Sequence, residues 1–319
     1  MRVLVTGGAG FIGATTAAAL VDSGHHVTVA DDLSGGARDA IPADATFVEA
    51  DVTNPASIGP VVTNGRFDAC LHFAALIEAG ASMRHPERFF AVNTAGSATL
   101  LEALTNAGVE RFVLSSTAAV YGEPQVTPID EDAPLVPTNA YGESKLLVER
   151  MLAWYHQIHG LRTAALRYFN AAGATPGRPE RHEPETHLVP LVLQVARGQR
   201  DHISIFGDDY PTEDGTCVRD YVHVADLADA HVRALERLDE LGTVTCNLGN
   251  GAGFSVREVI DAARRVTGHP IPTETATRRP GDPATLVAGA DRARRLLDWE
   301  PQISDLERIV VDAWETTPR

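Results

Sequence analysis

Tyr141 and Lys145 are the two residues of this 319-residue chain whose types and spacing best suit acid–base chemistry. They lie four positions apart in residues 140–159, a stretch that predicts a helix, so their side chains share one face. A free tyrosine has a pKa near ~10 and is a poor base at neutral pH, but a nearby ammonium favours the phenolate. Tyr141 could thus act as a general base on a hydroxyl proton, with Thr117 hydrogen-bonding the same hydroxyl as a relay.

Taken alone, this spacing more often marks a solvated lysine beside a packed tyrosine, so the elements around the pair decide its meaning. Residues 2–6 predict a buried strand and residues 12–20 predict a helix. Between them Gly7, Gly10 and Gly13 recur at three-residue spacing, which is typical of a dinucleotide-binding turn in this context. Such glycines allow a tight turn, close approach of a pyrophosphate and packing of helix on strand. The helix N-terminus then presents N–H groups to the phosphates, whereas the alternative is a glycine-rich turn without a ligand.

The choice of dinucleotide follows from the end of the second predicted strand. Residues 26–30 form that strand, and Asp31 and Asp32 come directly after it. An acidic residue here suits both ribose hydroxyls of NAD and would repel the 2′-phosphate of NADP. The sequence therefore predicts NAD as cofactor.

Strands and helices alternate through the first half of the chain, which predicts an α/β fold with a doubly wound parallel (Rossmann) sheet. Residues 1–173 are predicted to form the dinucleotide-binding domain, to which residues 219–246 return. Residues 174–218 and 247–319 are predicted to form a second, smaller α/β substrate domain, since proline, charge and glycine rise from position 174. Ligands should bind at the carboxyl ends of the strands. The predicted strands are 2–6, 26–30, 46–49, 68–72, 111–114 and 163–167.

Composition excludes several other classes of function. The formal net charge of −16 argues against nucleic acid or an anionic membrane as partner. Cys70, Cys217 and Cys246 are scattered without metal-binding spacing, so we expect no metal and a reducing compartment. We find no stretch of membrane-spanning length and no secretory signal pattern, and we expect a cytoplasmic protein.

The segment Gly7–Gly13, Asp31, Thr117 and the Tyr141/Lys145 pair resemble the extended short-chain dehydrogenase/reductase family. Further segments resemble the UDP-glucose 4-epimerases within that family, and the similarity runs over nearly the whole chain. These segments are residues 168–174 (YFNAAGA), 187–190 (HLVP), 205–216 (IFGDDYPTEDGT), 218–223 (VRDYVH) and 247–251 (NLGNG).

The resemblance implies an isomerase that interconverts UDP-galactose and UDP-glucose. Tyr141 would take the proton of the sugar 4-hydroxyl while NAD accepts the C4 hydride. The 4-keto sugar would then turn over and take the hydride back on its other face. Related 4,6-dehydratases and decarboxylases place an acidic residue directly after the threonine, whereas Ala118 follows Thr117 here. A 4-epimerase of UDP-glucuronate or a UDP-N-acetylhexosamine stays open, and a non-catalytic NAD sensor is the remote alternative.

The resemblance also assigns roles to individual residues. Tyr141, Lys145 and Thr117 would be catalytic. The implied NAD contacts are Gly7, Gly10, Phe11, Ile12, Gly13, Asp31, Asp32, Leu33, Ser34, Gly35, Gly36, Asp51, Val52, Phe73, Ala74, Ala75, Ile77, Asn93, Ser115, Tyr141, Lys145, Tyr168 and Phe169. The implied UDP-sugar contacts are Thr117, Tyr141, Asn170, His187, Leu188, Phe206, Arg219, Arg279 and Asp282.

For some of these residues another role is possible, and at two positions the residue type differs from that of family members. Arg219 and Arg279 suit bidentate phosphate contacts, but surface ion pairs are the alternative. Asn93 could be a plain polar residue on a helix face. Ile77 stands where some epimerases carry a lysine. Leu286 matches the gate of the sugar pocket, where leucine is intermediate between tyrosine, which excludes N-acetyl sugars, and small residues, which admit them.

We also expect a homodimer, because the family packs residues 86–107 and 140–159 against their symmetry mates as a four-helix bundle. The sequence supports this through apolar positions on those segments, such as Leu146, Leu147 and Leu152.

Overall fold

The computed structural model describes residues 1–279 and 282–316, and residues 280, 281 and 317–319 of the predicted smaller domain lie outside this part. Seven strands form one sheet in the order β11-β6-β5-β4-β1-β2-β3, and every neighbouring pair is parallel. The α/β class and the parallel Rossmann sheet are therefore confirmed. The strands are β1 (Arg2–Thr6), β2 (His26–Asp31), β3 (Thr46–Glu49), β4 (Ala69–His72), β5 (Arg111–Thr117), β6 (Arg162–Tyr168), β7 (Asn170–Ala172), β8 (Ile203–Phe206), β9 (Val218–Arg219), β10 (Tyr221–His223), β11 (Thr243–Leu248), β12 (Phe254–Ser255), β13 (Thr273–Ala276) and β14 (Thr285–Leu286).

Helices cover both faces of this sheet, as its strands require because they are buried on both sides. The helices are α1 (Phe11–Asp22), α2 (Pro55–Gly65), α3 (Ala79–Ser82), α4 (Pro86–Phe89), α5 (Gly96–Asn106), α6 (Ala140–His159), α7 (Leu188–Ala196), α8 (Val224–Leu241), α9 (Val256–Thr267), α10 (Asp291–Leu297) and α11 (Leu306–Thr316). On one face Leu20 of α1 and Leu227 of α8 pack into a shared core. On the other face Val62 of α2, Leu100 of α5 and Val148 of α6 do the same. None of the described helices is long and apolar enough to cross a membrane.

A separate core joins α7, α9 and α11, with Leu193, Ile260 and Ile309 at its centre. Short strands accompany it, since β7 pairs with β10, β8 with β13, and β9 with both β12 and β14. The predicted division of the chain into two domains stays a prediction, and its boundary at residue 247 falls inside β11.

Three predicted elements near the site have different bounds in the structure. Strands 111–114 and 163–167 extend to Thr117 and Tyr168, which pair with each other in parallel register. Ser115 and Thr117 therefore belong to a strand and do not follow one, because backbone pairing continues after the apolar run ends. The predicted helix 86–107 is interrupted by a π-helical turn at Phe90–Ala95, a feature that often marks functional sites.

Candidate functional site

The glycine turn between β1 and α1 packs so closely against neighbouring backbone that a side chain would not fit. Gly7 has a φ of +70°, and a Cβ there would lie 2.3 Å from the amide nitrogen of Ala74. A Cβ on Gly13 would lie 2.2 Å from the carbonyl oxygen of Gly7. Among the described residues, no side chain caps the start of α1 at Gly10. The turn can therefore hold a pyrophosphate against the backbone, with free N–H groups and the positive end of the helix dipole directed at it.

Asp31 holds this turn in shape at the end of β2. Its Oδ2 accepts a hydrogen bond of 2.9 Å from the Ala9 amide, and its Oδ1 accepts one of 2.8 Å from the Leu33 amide. Burial raises the pKa of the Asp31 carboxyl, whereas these two hydrogen bonds lower it. Each carboxylate oxygen keeps a further lone pair, so both can also accept a ribose hydroxyl. The residues present thus fit an NAD adenosine and its phosphates.

Other predicted cofactor contacts lie in the loops after β2, β3 and β4. The polar ones form hydrogen bonds to residues of their own loop. Asp32 accepts hydrogen bonds from Ser34, and Asp51 accepts them from Thr53. Gly36 packs against Ala9, where a Cβ would come within 2.7 Å. Several predicted contacts are mainly packed rather than polar, and these are Phe11, Ile12, Val52, Phe73, Ala74 and Phe169. Gly35, Ala75 and Ile77 lie in the same loops, and Ile77 is partly buried.

Asn93 ties the loop after β4 to helix α6. Its Oδ1 accepts a hydrogen bond of 2.8 Å from the Leu76 amide, and its Nδ2 donates to the Leu76 carbonyl at 2.9 Å. Its Nδ2 also lies 3.0 Å from Ser144 Oγ, which in turn donates to the Tyr141 carbonyl at 2.7 Å. Asn93 is 1 % exposed, so the alternative of a plain surface residue is wrong. Its place in the π-helical turn lets it position both the cofactor loop and the helix of Tyr141.

The predicted catalytic residues meet where β5 lies against α6. The hydroxyl of Tyr141 is hydrogen-bonded to the Thr117 side chain. Burial raises the pKa of the Tyr141 phenol, and the Thr117 bond lowers it. Lys145 is buried, and its Nζ donates a hydrogen bond of 2.9 Å to the Ser115 carbonyl oxygen. Burial lowers the pKa of Lys145 to about 8. The site can therefore hold and move a proton at the phenol, and the Lys145 ammonium lies one helical turn along α6, bonded to β5.

Tyr168 extends this polar cluster from β6. Its hydroxyl is hydrogen-bonded to Ser115 Oγ, and burial raises the pKa of the Tyr168 phenol. Tyr168 and Ser115 therefore line the same end of the sheet as Thr117.

A second group of predicted residues lies together at the edge formed by β8, β9 and the loop before β14. Arg219 forms an ion pair with Asp282. The guanidinium of Arg279 lies 3.9 Å from the centre of the Phe206 ring. The ion pair that is the alternative for Arg219 is therefore present, but it is largely buried, since the Arg219 side chain is 13 % exposed. A contact of Arg219 with a phosphate stays a prediction. Two guanidinium groups and an aromatic ring are suited to a nucleoside diphosphate.

Asn170 is oriented by the backbone of Asp220, a buried residue that the sequence analysis does not single out. Its Nδ2 donates a hydrogen bond of 3.0 Å to the Asp220 carbonyl oxygen. The Asp220 carboxylate is fully buried and accepts bonds from the amides of Asn250, Gly251 and Ala288. Asp220 thus joins the segments that carry Asn170 and Leu286. The position of Asp220 inside the 218–223 motif is the feature of the sequence that could have identified it as a site residue.

His187 belongs to a cluster with Glu180, His182 and Glu185, and Leu188 begins α7 directly after it. Its Nδ1 lies 2.8 Å from Glu180 Oε1 and 2.9 Å from Glu185 Oε1. Burial lowers the pKa of His187, but the bonds to Glu180 and Glu185 raise it more, to about 10. His187 therefore carries a positive charge, which the carboxylates of Glu180 and Glu185 at its Nδ1 balance, and its contact with a phosphate stays a prediction. The expectation of no metal stays a prediction.

Leu286, the predicted gate, connects the two groups of residues. It pairs with Arg219 across β14 and β9, and it packs against a cluster that contains Leu146 of α6 and Tyr121. A side chain at position 286 therefore lies between the UDP-binding candidates and the catalytic helix.

Comparisons with known proteins agree with this geometry. The model of the NAD dependent epimerase/dehydratase family matches residues 3–249. The UDP-glucose 4-epimerase of Corynebacterium glutamicum is 50 % identical over 317 residues, which cover 99 % of this chain and 96 % of that protein. The crystal structure of the Brucella ovis UDP-glucose 4-epimerase in complex with NAD is 42 % identical, with a TM-score of 0.95 over 98 % of this chain and 97 % of the other. That of the Bifidobacterium longum enzyme with NAD+ and UDP is 35 % identical, with a TM-score of 0.94 over 99 % of this chain and 98 % of the other.

Proposed function

The chain belongs to the NAD dependent epimerase/dehydratase family, and on that premise we propose that it is a UDP-glucose 4-epimerase. It would interconvert UDP-galactose and UDP-glucose. The observation that carries the proposal is the convergence of Thr117, Tyr141 and Lys145 at the end of β5, on the same edge of the parallel sheet as the glycine turn after β1. A protein that only sensed NAD would not need this acid–base group.

NAD, when bound, supplies a hydride acceptor and donor for the sugar C4. The residues of the chain supply the remaining chemistry. Tyr141 accepts the proton of the 4-hydroxyl at its phenol oxygen and gives it back after the sugar has turned over. Thr117 holds the same hydroxyl through its side chain, and Lys145 provides the positive charge that favours the phenolate.

Inversion at C4 requires a sugar that turns while its nucleotide stays bound. Arg219, Arg279 and His187 supply positive charge for the UDP phosphates, although the net charge of the chain is −16. Phe206 and Asn170 would orient the nucleotide. The reaction therefore needs firm binding of the UDP group and few contacts to the sugar ring.

Removal of water from the sugar is a less suitable chemistry for this site. Ala118 and Ala119 follow Thr117, so no carboxylate occupies the position that a dehydratase uses. A 4-epimerase of UDP-glucuronate or of a UDP-N-acetylhexosamine is the second candidate, because Leu286 is intermediate in size.

The test is incubation of the purified protein, without added cofactor, with UDP-galactose, UDP-glucuronate and the UDP-N-acetylhexosamines in parallel. We expect UDP-galactose to give UDP-glucose at the highest kcat/KM, and the protein to carry NAD. A higher kcat/KM for another UDP-sugar would replace the first candidate with the second. No turnover of any of them would overturn both.

We also propose a homodimer through α6 and the neighbouring helical segment 86–107. Leu146 and Leu152 do not support it, because both are buried in the core of the same chain. The support comes instead from Trp154 and Ile158, which are 61 % and 66 % exposed and lie one turn apart on α6. In sedimentation experiments we expect the wild type to be a dimer and Trp154→Glu to be a monomer. A monomeric wild type at micromolar concentration would refute the proposal.

Residence in the cytoplasm stays a prediction from the cysteine content.

A further inference from the structure

Helix α6 carries a third buried polar residue on the face of Tyr141 and Lys145. Glu149 follows Lys145 by four residues, and its side chain is 9 % exposed. Three consecutive residues of β5 each bond to one of these three helix residues. Thr117 bonds to Tyr141, the Ser115 carbonyl oxygen to Lys145, and Ser116 Oγ donates to Glu149 Oε1 at 2.5 Å.

Glu149 is held in place by Arg167 of β6. The Arg167 Nη2 lies 2.5 Å from Glu149 Oε2, and its Nε lies 3.0 Å from Oε1, which is a bidentate geometry. Both side chains are buried, at 5 % and 9 % exposure. The Nη1 of Arg167 donates to the Tyr121 hydroxyl at 2.9 Å, so the guanidinium is itself fixed. A buried pair of this kind leaves an uncompensated charge when one partner is removed.

We infer that Glu149 is a positioning residue for the acid–base group: its carboxylate, oriented by Ser116 and Arg167, keeps Lys145 in the ammonium form during turnover. The inference rests on the proposed function, because it assumes that the Lys145 charge favours the Tyr141 phenolate. Nothing in the proposed reaction needs Glu149 to touch the substrate.

The charges around Lys145 give the direction of the effect. The phenols of Tyr141 on α6 and Tyr168 on β6 and the imidazole of His72 on β4 are neutral near pH 7, since burial raises the two phenol pKa values and lowers that of His72. Burial lowers the pKa of Lys145 to about 8, and Glu149 opposes this as the anion that raises it. Without the Glu149 charge, Lys145 would face the same desolvation together with an unpaired Arg167 guanidinium. Its pKa would then fall further.

A feature of the composition makes this directly measurable, because Lys145 is the only lysine in the 319 residues. Protein labelled with 13C at the lysine Cε therefore gives one lysine side-chain NMR signal. We would titrate this signal in the NAD-loaded wild type, in Glu149→Gln and in Glu143→Gln. Glu143 is the matched control, since it lies on the same helix and faces Arg150 near the surface at 3.8 Å.

In Glu149→Gln we expect the midpoint of the lysine titration to fall by about one pH unit, which corresponds to the loss of one nearby charge. The pH at which kcat begins to fall on the alkaline side should decrease by the same amount. Above the new midpoint we expect kcat to be about tenfold lower than in the wild type. The KM for UDP-galactose should stay within about twofold of the wild-type value. Glu143→Gln should keep the wild-type values. An unchanged lysine midpoint in folded Glu149→Gln would overturn the inference.

One outcome separates this inference from the proposed function. A shifted lysine midpoint in a protein that turns over no UDP-sugar would support the Glu149 effect and reject the 4-epimerase. If Glu149→Gln does not fold, Ser116→Ala removes only the hydroxyl that orients the carboxylate. We expect a smaller midpoint shift in the same direction, and no shift in that variant would overturn the inference.

Discussion

Arg219 and Asp282 form an ion pair with each other, although sequence reasoning assigned both of them separately to the UDP-sugar. The pair joins β9 to the loop before β14 and is largely buried, since the two side chains are 13 % and 28 % exposed. Arg219 Nη1 also donates to the Val218 carbonyl oxygen at 2.8 Å. The guanidinium is therefore pre-oriented by the protein, which reduces the entropy lost when it binds a phosphate.

Arg219→Lys should weaken UDP binding, because an ammonium cannot keep the bond to Asp282 and make a bidentate phosphate contact at once. We expect the Kd for UDP, measured by titration calorimetry, to rise roughly 10- to 100-fold, the value of one charged hydrogen bond of about 1.5–3 kcal/mol. Arg233→Lys is the control, since that arginine pairs with Asp229 on the exposed side of α8. Equal affinity in Arg219→Lys and the wild type would remove Arg219 from the phosphate site.

Tyr141→Phe should abolish proton transfer while leaving the cofactor site intact. The loss of a general base lowers kcat by about 10²- to 10⁴-fold, and the NAD content should not change. Tyr155→Phe on the same helix should keep full activity, because Tyr155 stacks on His159 at a ring distance of 5.4 Å away from Thr117. Activity of Tyr141→Phe near the wild-type rate would show that another residue is the base.

His72 should make the stability of the protein fall with acid. Its Nδ1 and Nε2 lie 2.6 Å from Thr6 Oγ1 and 2.8 Å from Ser97 Oγ, and burial lowers its pKa from 6.5 to about 3. Because the folded pKa is below the unfolded one, the unfolded state binds more protons between these values. The contribution of His72 is therefore complete above pH 6.5 and is lost as the pH falls toward 3.

The measurement is urea unfolding of the wild type and of His72→Gln at pH 7.5 and pH 5. We expect the free energy of unfolding to fall by about 2 kcal/mol more in the wild type than in the variant over this interval. His26→Gln, at an exposed position of β2, should follow the wild type. Parallel pH dependence in His72→Gln and the wild type would mean that His72 is not buried in its neutral form.

Leu286→Gly should widen the range of sugars that the site accepts. The leucine packs against the cluster that contains Leu146 and Tyr121, so its removal opens space beside the catalytic helix. We expect the ratio of kcat/KM for UDP-N-acetylgalactosamine over UDP-galactose to rise about tenfold or more, the usual value of a few methylene groups in a pocket. Thr285→Ala, one residue earlier in β14, should leave the ratio unchanged. A ratio in Leu286→Gly equal to that of the wild type would mean that another residue forms the gate.

Local patterns in the sequence predicted most of the sheet and the catalytic group. The glycine spacing after Thr6 and the four-residue spacing of Tyr141 and Lys145 each report on one turn or one helix face. Such periodicities are set by the backbone within a few residues. The strand ends were less certain, because the hydrogen-bonded ladder of Ser115 to Thr117 with β6 depends on a partner about 50 residues away.

The partners of individual side chains could not be predicted in this way. The resemblance assigns Asn93 to the cofactor, which stays a prediction, and only the tertiary structure shows that its amide also bonds to Leu76 and Ser144. Glu149 carried a readable signal, since it lies four residues after Lys145, yet its importance depends on Arg167 from another element. The apolar character of Leu146 and Leu152 predicts a docking face, but the structure buries both side chains in the core.

The sequence by itself determined the alternation of strands and helices typical of a Rossmann sheet, the NAD-type turn and the shared helix face of Tyr141 and Lys145, because these follow from short-range geometry. Only the tertiary structure decided that Arg219 meets Asp282, that Glu149 meets Arg167 and that Leu286 lies between the two halves of the site. Charges and gates act over distances of a few ångströms in space, and residues that are far apart in the chain reach those distances only when the whole domain has packed.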